Sequence, residues 1–363
     1  MKNDEYYMRL AIDLAESAKG KTNPNPLVGA VIVKNDRIVG TGLHRKAGEP
    51  HAEVHAFTMA GEHAKDATLY VTLEPCSHYG KTPPCAELVK SSGVKRVVVA
   101  MQDPNPSVAG RGIKLLRDHG ITVEVGVLEE EAKKLNERFI HNMLTETPFV
   151  ISKFAMTLDG KIATHNGHSK WITGQTAREH VHELRDQVDA ILVGVNTVKK
   201  DNPMLTTRLS HRKGKNPIRI VIDRHLGTPL DSHVCNTVDA RTIIITSKHN
   251  RGMIEPYEQY GVEFVFVEES NSRLDFQEAM KELYKLGITD ILVEGGASIH
   301  AAFLRSGLIH KVLAYVAPKI LGGKNSLSTF TGPDVETIDD AMQLQFEEVQ
   351  KLGNDLLLIA YPK

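Results

Sequence analysis

The chain has 363 residues, enough for two domains, and its 41% hydrophobic and 25% charged residues describe a folded globular protein, not a disordered one. A net charge of −1 excludes a global basic field for nucleic acid. Three cysteines argue against an extracellular disulfide framework, no stretch approaches the roughly 18 to 20 apolar residues of a membrane span, and the acid-interrupted start is no signal peptide, so a cytoplasmic protein without membrane contact is expected.

In chain order, Met8, Ala11, Ile12, Ala15 and Ala18 recur at helical spacing and predict an opening helix. "LVGAVIV" and "RIVGTGLH", joined by Lys34-Asn35-Asp36, read as a hairpin. A helix over "HAEVHAFTMAGEHA" and a strand over "ATLYVTLEP" follow. The short helix "CAELVKSSG" stops at Gly93, where glycine takes the left-handed C-cap conformation. Strand "RVVVAMQDP", helix "GIKLLRDHG" and strand "ITVEVGVL" come next, and one charged helix from Glu129 to about Leu144 closes the unit. Pro148 within "TETPF" breaks the pattern and sets domains over 1–146 and 147–363.

The second half alternates again. Its strands are "FVISKFAM", "AILVGV", "IRIVID", "TIIITS", "VEFVFV", "DILVEGG", "KVLAYVAPKIL" and "LLLIAYP", with helices over 174–188 and 275–286. Strands alternating with helices predict two α/β layered domains. The halves share no repeat, so two different activities are expected.

Cys76 and Cys85 lie in "PCSHYGKTPPC". A soft divalent ion such as zinc prefers thiolate and imidazole, and a catalytic site supplies three protein ligands with a fourth position open. His51 supplies the imidazole, Cys76 follows a predicted strand end, and Cys85 opens a predicted helix whose N-terminal partial charge favours thiolate. H-x-E, P-C and a second Cys form the zinc-deaminase pattern, with a longer inter-cysteine loop than the usual C-x-x-C. In that pattern Glu53 is no ligand; it takes a proton from zinc-activated water and later delivers it to departing ammonia. A zinc protease fits less well, because Glu53 sits at the wrong offset between His51 and His55 and the cysteines would be left over. A structural ion would need a fourth protein ligand, which His78 offers. The remaining rival, a nucleoside or nucleic-acid deaminase with an appended nucleotide-binding domain, calls for a basic face and stacking aromatics, against which stand the near-neutral charge and 6% aromatic content.

"NPNPLVGAVIV", "HAEVHA", "EPCSHYGKTPPC" and "DPNPSVAGRG", followed by "TLDGKIA", "SKWITG", "ILVGVNTVKKDNPMLTTR", "VEGGASIHAAFL" and "APKILGG", resemble the bifunctional riboflavin-biosynthesis deaminase/reductase family, in order and over essentially the whole chain. The resemblance implies a cytidine-deaminase-like three-layer α/β/α domain followed by a dihydrofolate-reductase-like α/β domain, with zinc and NADPH as cofactors. It implies deamination of 2,5-diamino-6-(ribosylamino)pyrimidinone 5′-phosphate and then reduction of the ribosyl group of 5-amino-6-(5-phosphoribosylamino)uracil to ribityl. Its partners would be small pyrimidine ribosyl phosphates, with no nucleic acid and no membrane, and the chain would form a homo-oligomer. By motif match, Asn25, His44, His78, Lys81, Asp103 and Asn105 would hold the first substrate, and Ser169, Arg185, Leu205, Arg208 and Glu294 the second, with Lys153 nearby. The cofactor's diphosphate would meet Gly296, Ala297, Ser298, Ile299, His300, Ala301 and Ala302, a Gly-Gly turn opening a helix, and Ala155, Trp171, Thr197 and Asp201 would line the rest. Trp171, the only tryptophan, also suits a core anchor. Arg224, after "IRIVID", suits either the 2′-phosphate of NADPH or a solvated turn. No residue of the reductase half stands out as its proton donor.

Overall fold

The structure is a computed structural model that describes residues 3–77, 84–106, 108–332 and 335–363. Two compact units, Met1–Glu146 and Thr147–Lys363, divide the chain.

The first unit runs α1 (Asp4–Glu16), β1 (Gly29–Lys34), β2 (Arg37–Leu43), α2 (Ala52–Ala60), β3 (Thr68–Leu73), α3 (Cys85–Ser91), β4 (Arg96–Met101), α4 (Arg111–Asp118), β5 (Thr122–Val125), α5 (Glu129–Leu135) and α6 (Glu137–Thr145). The sheet order is β2-β1-β3-β4-β5, antiparallel through β3 and parallel from β3 to β5. Asn35 and Asp36 both take positive φ (52° and 59°), the two-residue hairpin turn whose twist matches its strands. β1, β3 and β4 bury five of six residues each, because helices cover both faces of the sheet and leave no polar side to the pattern. α2 lies almost on the backbone of β2. A Cβ on Gly42 would overlap the carbonyl oxygen of Ala52, and one on Gly40 that of Ala56.

One expectation fails in this unit: the charged helix predicted from Glu129 to Leu144 is two helices, broken at Asn136 (φ −105°, ψ 21°). Asn136 is buried, and its amide bonds both backbone groups of Leu27, accepting from the N–H at 2.8 Å and donating to the carbonyl at 3.0 Å. The side chain serves a loop 109 residues away, so periodicity alone could not reveal the break.

In the second unit come β6 (Phe149–Thr157), β7 (Lys161–Ala163), α7 (Gln175–Gln187), β8 (Ala190–Gly194), α8 (Val195–Asp201), β9 (Ile218–Ile222), β10 (Thr242–Ser247), α9 (Glu255–Glu258), β11 (Glu263–Val267), β12 (Glu269–Ser270), β13 (Arg273–Leu274) and α10 (Phe276–Lys285). They are followed by β14 (Asp290–Val293), α11 (Ala297–Arg305), β15 (Lys311–Ala317), β16 (Leu327–Ser328), β17 (Leu344–Leu352) and β18 (Asp355–Pro362). Nine strands form one sheet in the order β11-β10-β9-β8-β14-β6-β15-β18-β17, parallel from β11 to β15 and closed at one edge by the antiparallel β18 and β17. β17 was not among the expected strands. "LQFEEVQKL" carries no buried face to produce an apolar alternation, and its pairing with β18 alone holds it extended. Trp171 is 64% exposed with the Arg178 guanidinium 4.5 Å over its ring, so it anchors no core.

Candidate active sites

In an open α/β sheet, ligands gather outside the carboxyl ends of the parallel strands. His51 precedes α2 in extended conformation (φ −71°, ψ 166°), Cys76 lies just beyond the end of β3, and Cys85 is the first residue of α3. Their donor atoms lie within 4.8 Å of one another, with His51 Nδ1 3.6 Å from Cys76 Sγ and 3.3 Å from Cys85 Sγ. A tetrahedral zinc, with Zn–S about 2.3 Å and Zn–N about 2.0 Å, separates nitrogen from sulfur by roughly 3.6 Å, so the donor set fits that ion in kind and in spacing. The Cys85 thiol and the His51 ring hold the Cys76 thiol down at about 4 against the effect of burial. Cys85 is pushed far above the ordinary thiol range by its bond to Cys76, by burial and by Glu53, since a second negative charge has no counterion there. A divalent cation would supply that counterion to both thiolates. Glu53 is 3% exposed, and burial pushes its carboxyl up to about 7.

His51, Cys76 and Glu53 open onto a cavity of about 260 Å³ that is also lined by Asn25, His44, Asp103 and Asn105. Asn25 Nδ2 donates to His44 Nε2 at 3.0 Å, and His44 Nδ1 donates to the Pro50 carbonyl at 3.2 Å, which fixes a neutral tautomer; burial lowers the pKa of this ring accordingly. His78 and Lys81, expected here, lie outside the described residues. Sequence reasoning missed Glu74, Phe139 and Met143, which also line the cavity. Glu74 is buried, and its carboxylate accepts from the backbone N–H groups of Asp103 (3.3 Å), Gly110 (2.9 Å), Gly112 (2.8 Å) and Ile113 (3.2 Å), anchoring the loop that carries Asp103 and Asn105. The signal was present in "LEPC", a glutamate directly after an apolar strand. Phe139 and Met143 belong to α6, the helix that begins after the break at Asn136.

In the second unit, Glu294 follows β14 and is the centre of an ion-pair network. Arg185 from α7 binds it with both ends of its fork (Nε–Oε1 2.7 Å, Nη2–Oε2 2.9 Å), and Lys153 from β6 adds Nζ–Oε2 at 3.0 Å. All three side chains are 8–13% exposed. Burial works against the Glu294 charge, but Arg185 and Lys153 outweigh it and hold the carboxyl far below the usual range. Arg185 also donates to the Thr206 carbonyl at 3.0 Å, and Arg208 reaches the Thr206 hydroxyl at 3.4 Å, so the motif brings both arginines to one place.

The chain matches known proteins along its length. Residues 1–101 match the cytidine and deoxycytidylate deaminase zinc-binding region, and residues 148–358 match the RibD C-terminal domain. It is 46% identical over 355 residues to the riboflavin biosynthesis protein RibD of Aquifex aeolicus (98% of this chain, 97% of that one). The Escherichia coli protein of the same name is 42% identical over 366 residues, covering 98% of each. The chain belongs to the RibD family. Among solved structures, Acinetobacter baumannii RibD has a TM-score of 0.89 at 39% identity with 99% of each chain covered. A Thermotoga maritima protein, described as a diaminohydroxyphosphoribosylaminopyrimidine deaminase/5-amino-6-(5-phosphoribosylamino)uracil reductase, has a TM-score of 0.87 at 41% identity with the same coverage.

As a member of this family, the chain is a bifunctional deaminase and reductase of riboflavin biosynthesis, with a cytidine-deaminase-like domain, a dihydrofolate-reductase-like domain, and zinc and NADPH as cofactors. That outcome favours the family reading over a nucleoside or nucleic-acid deaminase with an appended domain. Among the described residues, no helix is long and apolar enough to cross a membrane.

In the reductase half, the residues expected to meet the cofactor include the start of α11. Gly296 takes φ +79°, which turns the chain from β14 into α11, and the Thr197 hydroxyl of α8 lies beside it. Asp201 closes α8 and is exposed, Ala155 is half-buried on β6, and Ser169 and Trp171 share one loop. The Ile299 and His300 N–H groups donate to the Gly296 carbonyl (2.9 and 3.1 Å), and the side chains of Ile299, His300 and Ala301 are buried. Leu205 is buried likewise, its side chain packing in the core with Val193 and Val198. The Arg224 guanidinium is engaged: it donates to His225 Nε2 at 2.8 Å and to the Ser272 carbonyl, and lies 3.6 Å from Glu269.

Proposed function

We propose that His51, Cys76 and Cys85 hold the zinc, that Glu53 moves the protons of deamination, and that the first substrate is 2,5-diamino-6-(ribosylamino)pyrimidinone 5′-phosphate. The observation that carries this reading is a buried carboxylate opening onto the same cavity as His51 and Cys76 of a three-donor cluster. When bound, zinc supplies the Lewis acid that makes water nucleophilic at neutral pH. Glu53, titrating near neutrality, can accept a proton from that water and return one to the leaving amine. Asn25, His44, Asp103 and Asn105 supply the polar edges that orient the pyrimidine and ribose, with His78 and Lys81 as further candidates for the phosphate.

In the reductase half, NADPH supplies the hydride, and the residues around it orient the sugar and exclude water. Reduction at the sugar C1 requires the ribosylamine to be ring-opened. Lys153, Glu294 and Arg185 form the rigid, charged floor of this site, with Ser169 and the Leu205 backbone beside it. Because Glu294 and Thr206 occupy most of the Arg185 donors, Arg208 is the better arginine for the substrate phosphate. The exposed strand β17, with Phe346 and Val349 open to solvent, supports a second copy of the chain as partner. The free cysteines and near-neutral charge support a cytoplasmic enzyme that does not bind nucleic acid.

Glu53→Gln tests the central assignment. The variant is expected to keep its zinc, to lose ammonia release by about a hundredfold or more, and to retain NADPH-dependent reduction of supplied aminouracil substrate. Undiminished ammonia release would remove Glu53 from the chemistry.

A further inference from the structure

A second cavity, of about 300 Å³, lies in the reductase unit where β9, β13 and α11 meet. Its apolar lining comes from Ile222, Leu274 and Phe276, and its cations are Arg224, Arg273 and Arg305. Arg224 is held by Glu269 and the Ser272 carbonyl. Among the described residues, Arg273 and Arg305 have no carboxylate partner. Three guanidiniums against one carboxylate leave an excess of two positive charges, whose mutual repulsion a dianion would relieve. Paired forks of this kind suit a phosphate monoester. The apolar wall suits a flat ring beside that phosphate more than a free inorganic ion.

The position of the cavity says which nucleotide. Ala302 of α11 also lines it, and α11 starts at Ala297 beside Gly296. At 1.5 Å per residue, Ala297 and Ala302 are roughly 8 Å apart along the axis. That is the span of one nucleoside, with a diphosphate on its 5′ side and a second phosphate on its ribose. We propose that this cavity reads the 2′-phosphate of NADPH and that Arg273 and Arg305 are the specificity-determining cations, with Arg224 as their support. The proposal rests on placing the cofactor's diphosphate at the opening of α11.

The test is equilibrium titration of the full-length protein with NADPH, NADH, 2′-AMP and 5′-AMP. Wild type should bind 2′-AMP in preference to 5′-AMP. Arg273→Ala and Arg305→Ala should each weaken NADPH and 2′-AMP by roughly tenfold or more and leave NADH unchanged. Both arginines are exposed, so the variants should fold, which a thermal melt verifies. If NADPH and NADH weaken together, or NADPH does not weaken, the specificity assignment is overturned while the cofactor's placement stands. Gly296→Val tests that placement separately: it should weaken both dinucleotides equally and leave 2′-AMP alone. If both dinucleotides still bind as in wild type, the diphosphate placement falls, and this cavity's assignment to the cofactor falls with it.

Discussion

The amide of Asn136 clamps the backbone of Leu27 through two hydrogen bonds, of 2.8 and 3.0 Å, and in doing so ends one helix and starts another. The clamp ties together two parts of the deaminase cavity, because Asn25 lies two residues before Leu27 and Phe139 three residues after Asn136. Asn136→Ala leaves both Leu27 groups without their partner, at a cost of about 2 to 4 kcal/mol. Thermal melts should show that loss, and steady-state assays should show a higher KM for deamination with reduction unaffected. A variant as stable as wild type would show that the clamp contributes nothing.

Metal analysis should find about one zinc per chain. Cys76→Ser or Cys85→Ser should lower zinc content and deamination together. Cys235→Ser should change neither, since Cys235 is fully buried in the other unit, 3.5 Å from the Pro229 carbonyl. Full zinc retention in either of the first two variants would displace that cysteine from the ligand set.

Glu74→Gln keeps the side chain's size but replaces one acceptor oxygen by an NH₂ group. Oε1 serves Gly112 and Ile113 while Oε2 serves Asp103 and Gly110, so one pair of backbone donors must face a donor. A loss of about 1 to 3 kcal/mol is expected, with KM for the pyrimidine affected more than kcat because the loop bears Asp103 and Asn105, not the metal ligands. An effect on kcat alone would contradict this positioning role.

Glu294 carries a pH prediction. Its folded pKa is depressed below the ordinary 4.5, so its stabilising contribution is fully present at neutral pH and is lost as pH falls below about 4.5. Melting of the reductase unit should therefore shift downward on acidification. Glu294→Gln should flatten that dependence, and at neutral pH it should cost about 3 kcal/mol by leaving Lys153 and Arg185 without their carboxylate. An unchanged acid slope in the variant would assign the slope to other carboxylates.

From residue order alone came the alternation of strand and helix, the division near Pro148 and the trio proposed as zinc ligands. Each is written in local terms: side-chain periodicity, a breaker, and donor types next to predicted strand and helix ends. Helix α7, expected over 174–188, spans Gln175–Gln187, and α10, expected over 275–286, spans Phe276–Lys285. Tertiary structure decided what depends on a partner distant in sequence. It broke the helix at Asn136 for the sake of Leu27, made a strand of "LQFEEVQKL" by pairing it with β18, and set Trp171, which had also suited a core anchor, at the surface. It also set Arg185 against Glu294 across 109 residues, and gathered Arg224, Arg273 and Arg305 around one cavity. Hydrogen bonds and ion pairs of this kind act over a few ångströms in space whatever their separation along the chain, so no window of residues contains them.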